Sequence, residues 1–125
     1  MFAKLKATVP RAAQAAFFAG VIVVVWLSLE PRSTPDRNVW EQMDHLPHVL
    51  AYGALALSAA MGFQRGRPVL AVCLGLIVLG TVLEFAQLYV PGRNAGFGDV
   101  IANVIGIAFG LAAAKVGERI AGIVA

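Results

Sequence analysis

Four apolar runs constrain this chain more than any motif in it: residues 12–29, 45–63, 69–90 and 100–116. Each is close to the roughly 20 residues a helix needs to cross the hydrocarbon of a bilayer. With 59% of 125 residues hydrophobic and only 14% charged, the chain lacks the polar surface that a water-soluble domain of this size would need. The segments between the runs (31–38 leading to Asp44, 64–68, and 91–98) are rich in Pro, Gly, Arg, Asn and Ser, which break helices and make turns. The pattern predicts an all-α integral membrane four-helix bundle, one domain over residues 1–125, with no internal repeat or linker.

The first run has a second reading. Lys4, Lys6 and Arg11 precede it as they would in a cleaved signal peptide. The run is longer than a usual signal core, however, and no small-x-small cleavage pattern lies between Trp26 and Pro35, so an uncleaved first helix is expected. Cys73, the single cysteine, lies inside an apolar run and reads as a small hydrophobe.

Charge sets the expected orientation. The net charge is +3, but the basic residues form short clusters at the ends of apolar runs rather than a nucleic-acid footprint. With the N-terminus inside, Lys4, Lys6, Arg11, Arg65, Arg67, Lys115 and Arg119 lie on the inner side, and Arg32, Arg37 and Arg93 on the outer. Seven against three favours N-in, C-in with four crossings. Trp26, Trp40 and Tyr89 then fall near the outer boundary, where amphipathic rings commonly sit.

Polar residues inside the runs carry the functional question. Asp44, His48 and Tyr52 follow at i, i+4 and i+8 and share one broad helix face. Glu84 and Gln87 (i, i+3) stand near the end of the third run, and Asp99 and Asn103 (i, i+4) at the start of the fourth. All of these positions belong to the end predicted to face outward. The same faces continue inward with small residues: Asn103, Gly106, Gly110 and Gly117 on helix 4, Ala51, Ala59 and Gly62 on helix 2, and Cys73, Ile77 and Gly80 on helix 3. Gly106 and Gly110 form a GxxxG pair that permits close helix approach. A charge turned toward lipid at mid-membrane costs about 2.5 to 3.5 kcal/mol, so the polar groups are expected to face one another inside the bundle.

Each has an architectural explanation as well. Asp44 and Asp99 precede predicted helices and would serve as N-caps. His48, Gln87 and Asn103 would serve as hydrogen-bonding glue, Tyr52 as an aromatic anchor and Pro91-Gly92 as a turn. Glu84 is harder to explain this way. With helix 3 running to Val90 it lies about 10 Å inside the helix end, where it must be protonated or paired. Arg93 is the expected partner, and a guanidinium that binds a carboxylate can equally bind a phosphate.

Asp44, His48 and Tyr52-Gly53, Glu84 with Gln87, Pro91-Gly92-Arg93, Asp99, Asn103, Gly106 and Gly110 together resemble the VanZ family of small bacterial membrane proteins. The resemblance runs from Asp44 to Gly110, about half the chain. It departs at His45, where the family pattern commonly has Lys, and at Pro47, which enters the first turn of helix 2. It implies a multi-pass protein of the bacterial inner membrane, associated with the envelope, and, for the family's namesake, low-level resistance to teicoplanin. It supplies no accepted reaction and no cofactor.

Three function classes follow. The leading one is an outward-facing pocket of Asp44, His48, Tyr52, Glu84, Gln87, Arg93, Asp99 and Asn103. It would bind an anionic envelope lipid, its head group or a lipid-linked cell-wall intermediate, with Arg93 as the anion contact. The second is a membrane-embedded hydrolase or transferase in which His48 and Glu84 do acid–base work. No Ser or Cys sits beside His48 in the sequence, so its nucleophile would be His48, a carboxylate or water. The third is an Mg, Mn or Zn site at Asp44, His48, Glu84 and Asp99. No nucleic-acid partner is expected. Assembly into a homo-oligomer is open, and a proton-coupled carrier using Glu84 would require it.

Overall fold

The computed structural model describes residues 2–31, 45–63, 67–93 and 95–124, with side chains described from Val9 to Gly122 within these ranges. Four helices follow in order: α1 Phe2–Leu29, α2 Leu46–Gly62, α3 Arg67–Gln87 and α4 Phe97–Val124. No strand occurs among the described residues. The apolar spans Val9–Leu29, Arg67–Gln87 and Phe97–Gly122 are long enough to cross a membrane. The 17-residue α2 is shorter, about 25 Å at 1.5 Å per residue.

The boundaries differ from those expected, for local reasons. α1 begins ten residues earlier than 12, and its Pro10 lies inside the helix. α4 begins at Phe97 and runs past Val116 to Val124. The α-helical part of α3 ends at Gln87 rather than Val90. Leu88, Tyr89 and Val90 then donate to the carbonyls three residues back, the tightened last turn of a helix approaching a proline. In α2, Pro47 occupies the first turn, where its missing N–H has no intrahelical partner to lose.

α2 and α4 form the most closely packed pair; α1 packs mainly on α2, and α3 touches the other three more sparingly. The α2/α4 seam is a backbone contact. A Cβ built on Gly106 would meet the Val49 backbone, with Val49 Cα at 2.9 Å. One on Gly110 would meet the Gly53 carbonyl oxygen and come within 2.9 Å of Ala56 Cβ. Only glycine allows this approach, as expected from the GxxxG spacing. Gly117 departs from that expectation, because it is exposed with open space around it.

Below the seam Phe17, Tyr52, Leu55, Ala56, Ala59, Val69, Cys73, Leu76 and Ile107 make the apolar core. Phe17 meets Phe63 edge-on at 5.5 Å between ring centroids. At that end of α1, Gln14 Nε2 donates to the Gly62 carbonyl at 2.7 Å and ties α1 to the C-terminus of α2. Large apolar side chains such as Ile22, Trp26, Leu74, Phe85 and Phe109 point outward from the bundle. Exposed hydrophobic rows of this kind fit a chain surrounded by lipid. Trp26 and Tyr89 are exposed, and Trp40 lies outside the described residues.

Candidate functional site

The end of the bundle where α1 and α3 finish and α2 and α4 begin gathers the polar side chains. The buried polar residues among those described are Glu84, Gln87, Asp99 and Asn103, with Asn103 only 2% exposed. They form two groups.

The first group joins α2 to α4 through side chains. Asp99 is the third residue of α4, not the residue before it, because the helix begins at Phe97. An acidic group in the first turn still suits the positive helix end, but its carboxylate reaches across to α2. Oδ1 lies 2.9 Å from Nδ1 of His45 and 3.6 Å from Nε2 of His48. One turn further along α4, Asn103 Oδ1 lies 3.1 Å from Nδ1 of His48. An amide oxygen only accepts, so His48 carries its proton on Nδ1, and its other nitrogen faces Asp99. His45 is the N-cap residue of α2, yet it makes no side-chain cap bond to that helix, its ring being engaged with Asp99.

Two features let this group assemble. Where Gly80 of α3 lacks a side chain, Asn103 Nδ2 and the Tyr52 hydroxyl approach: a Cβ there would lie 2.6 Å from the first and 3.0 Å from the second. Gly98 does the same for His45, whose Cε1 would be 2.9 Å from a Cβ at that position. Glu84 joins from α3. Its Oε1 accepts the Gly96 N–H at 2.8 Å, so one helix satisfies an amide just ahead of the next, and the Asp99 carboxyl lies within hydrogen-bonding reach. Glu84 is also nearer the helix end than the 10 Å expected, three residues or about 4.5 Å from Gln87.

The second group binds α1 to the α3–α4 connection through backbone carbonyls. Gln87 Nε2 donates to Ser28 O at 3.1 Å, and Arg93 donates from Nε to Glu30 O at 2.9 Å and from Nη2 to Leu27 O. α1 has no basic residue in its own last turn, and these two side chains supply donors to carbonyls that a helix end leaves unsatisfied. The turn Val90-Pro91-Gly92-Arg93 aims Arg93 at them. Arg93 N donates to Val90 O at 3.3 Å, and Gly92 has φ 76°, the positive value that a type II turn needs at its third residue.

His48, Tyr52, Glu84, Asp99 and Asn103 are therefore brought together. Gln87 and Arg93 stand at the same end and donate to carbonyls of α1, and Asp44 lies outside the described residues. His45 was visible in the sequence only as a departure from a pattern; its place one residue before a helix, with a carboxylate in the first turn of another, was the available signal. Among the described residues no three His, Cys, Asp or Glu side chains converge as a metal-binding group. The Ser58 hydroxyl donates to Ala54 O at 2.8 Å within its own helix.

No curated protein and no solved structure matches the chain. The VanZ/LLP1 family model matches residues 16–118, more than three quarters of the chain and all four helices in whole or part, and the protein belongs to that family.

Proposed function

We propose that this VanZ-family protein is a multi-pass protein of the bacterial inner membrane, with its polar end facing outward. There it binds the anionic head group of an envelope lipid or a lipid-linked cell-wall intermediate. The observation that carries the reading is the Asp99 carboxylate held between two imidazoles, one of which, His45, has 60% of its side chain exposed at the end of the bundle. A network confined to holding helices together would be closed, whereas this one presents an exposed imidazole edge to the boundary where head groups lie. Arg93 adds positive charge at the same end while capping α1.

The test is native mass spectrometry of detergent-purified protein beside Asp99→Ala, with metal analysis of the same samples. A phospholipid or lipid carrier that co-purifies with wild type and is lost in the variant supports the reading. Wild type that retains no lipid overturns it. Binding of a cell-wall lipid at this place would also alter how a lipid-anchored glycopeptide reaches its target. Expression in a susceptible host is then expected to reduce susceptibility to teicoplanin more than to vancomycin, and equal teicoplanin susceptibility with and without the protein removes that link.

One observation favours a second reading, a hydrolase or transferase acting on such a lipid. A carboxylate on Nδ1 of a histidine whose Nε2 is open is the arrangement that orients imidazole as a general base. Water would be the nucleophile for the hydrolase. Release of head group from a lipid ester in reconstituted vesicles, lost in Asp99→Asn, distinguishes turnover from binding.

A further inference from the structure

Beside the polar cluster, a groove of about 300 Å³ runs between α2 and α4, lined by His45, Val49, Gly98, Ile101, Ala102 and Ile105. His45, at the beginning of α2, is the one residue with a polar side chain among these, and it lends the groove carbon surface only. From Gly98 to Ile105 it follows α4 for seven residues, about 10 Å of helix, away from the polar end. The groove is thus apolar along its length, with the exposed His45 ring at its mouth.

We infer that this groove holds one acyl chain of an anionic phospholipid whose phosphate is met by Nε2 of His45. The assignment rests on the proposed binding of an anionic lipid at this end, and adds where the lipid lies and which atom selects it. Asp99 engages Nδ1 of His45 at 2.9 Å, and the ring lies over Gly98, with Nε2 3.2 Å from the point a Cβ would occupy. Nε2 has no hydrogen-bond partner among the described residues, and protonated it donates to a phosphate oxygen.

The groove and the imidazole together choose the occupant. A helix from a second copy would cover the apolar length with side chains but supply no anion to His45. An extended peptide would carry unsatisfied amides along apolar walls in the membrane region. A free phosphate would meet His45 and leave the apolar length uncovered. An amphiphile with a negative head matches both ends.

The experiment uses the full chain in detergent, exchanged into equal amounts of dioleoyl phosphatidylglycerol and dioleoyl phosphatidylcholine, with retained lipid counted by native mass spectrometry. Wild type is expected to prefer phosphatidylglycerol. His45→Gln lowers that preference about tenfold, the equivalent of one charge-assisted hydrogen bond, and His45→Lys preserves it. Ile105→Trp, placed on a half-exposed groove wall, reduces retention of both lipids. Val104→Trp, equally exposed but outside the groove, does not. Thermal unfolding near wild type is required of each variant counted, and Ile101→Trp replaces Ile105→Trp if the latter fails to fold.

If wild type prefers phosphatidylglycerol and either His45→Gln or the groove-filling variant behaves like wild type, this assignment is overturned while lipid binding at the polar end stands. If wild type retains neither lipid, both fall.

Discussion

The two groups of polar side chains at the same end of the bundle are built from opposite materials. Gln87 and Arg93 donate to main-chain carbonyls of α1, at Leu27, Ser28 and Glu30, which any sequence at the end of a helix would present. His45, His48, Asp99 and Asn103 bond to one another, side chain to side chain, and each is needed for the next. The first arrangement answers a need that every helix terminus has. The second answers none: α2 and α4 already meet backbone to backbone at Gly106 and Gly110, and an interhelical hydrogen bond in a membrane bundle adds on average only about 0.6 kcal/mol. On the function proposed above, the difference separates a cap from a site. It predicts that damage to the first group appears in stability and damage to the second in ligand retention.

The largest effect removes the frame that both groups share. In Gly106→Val the added carbons meet Val49 backbone atoms that belong to a regular helix and cannot move aside. The α2/α4 seam opens, and the loss is expected to reach about 3 kcal/mol, the upper end for overpacking. Thermal unfolding in detergent reads the loss, and lipid retention disappears with it. A fully stable Gly106→Val would mean that the seam is looser than its geometry states.

Asp99→Ala against Arg93→Ala tests the comparison directly. Asp99→Ala leaves two imidazoles without their carboxylate, and is expected to lose about 1 to 3 kcal/mol together with the retained lipid. Arg93→Ala removes two donors from the end of α1 and is expected to cost about 1 to 2 kcal/mol while keeping the preference for anionic lipid. Preference lost in Arg93→Ala with stability intact would make the guanidinium the anion contact, as the sequence reading had it, and would invert the two roles.

How far the sequence allowed this division to be seen depends on the kind of interaction. The four-helix architecture and the burial of Glu84, Gln87, Asp99 and Asn103 follow from spacing, because a polar residue at i, i+3 or i+4 in an apolar run has nowhere else to go. The Pro91-Gly92 turn was legible for a similarly local reason. The partners were not. Glu84 was expected to meet Arg93 and accepts the Gly96 amide, since a backbone N–H carries no mark in a sequence. Asp99 was expected to cap α4 and bonds across to His45, since the helix starts three residues earlier than its apolar pattern does. Pairings between helices depend on their rotation and offset, which periodicity leaves free.

A smaller effect is expected at Gly92. Its φ of 76° is costly for any residue with a Cβ, by about 1 to 2 kcal/mol. Gly92→Ala strains the turn that delivers Arg93 to Leu27 and Glu30, so it should reproduce part of the Arg93→Ala loss in thermal unfolding while leaving lipid preference unchanged. A change in preference would tie the two groups together.

The smallest single effect sharpens the comparison most. Gln87→Ala removes one hydrogen bond, to Ser28 O, for about 0.6 kcal/mol. The value alone decides little, but double-mutant cycles use it. Gln87 and Arg93 hold neighbouring carbonyls of one helix end, so the removal of either frees α1 and weakens the other's contact. Their effects should depart from additivity by about 0.5 kcal/mol or more. Gln87→Ala combined with Asp99→Ala should add to within about 0.3 to 0.5 kcal/mol, because the two side chains share no partner in their hydrogen bonds. Coupling in the second cycle as large as in the first would show that the α1 cap and the histidine–aspartate cluster act as one network, and the distinction between cap and site would not survive it.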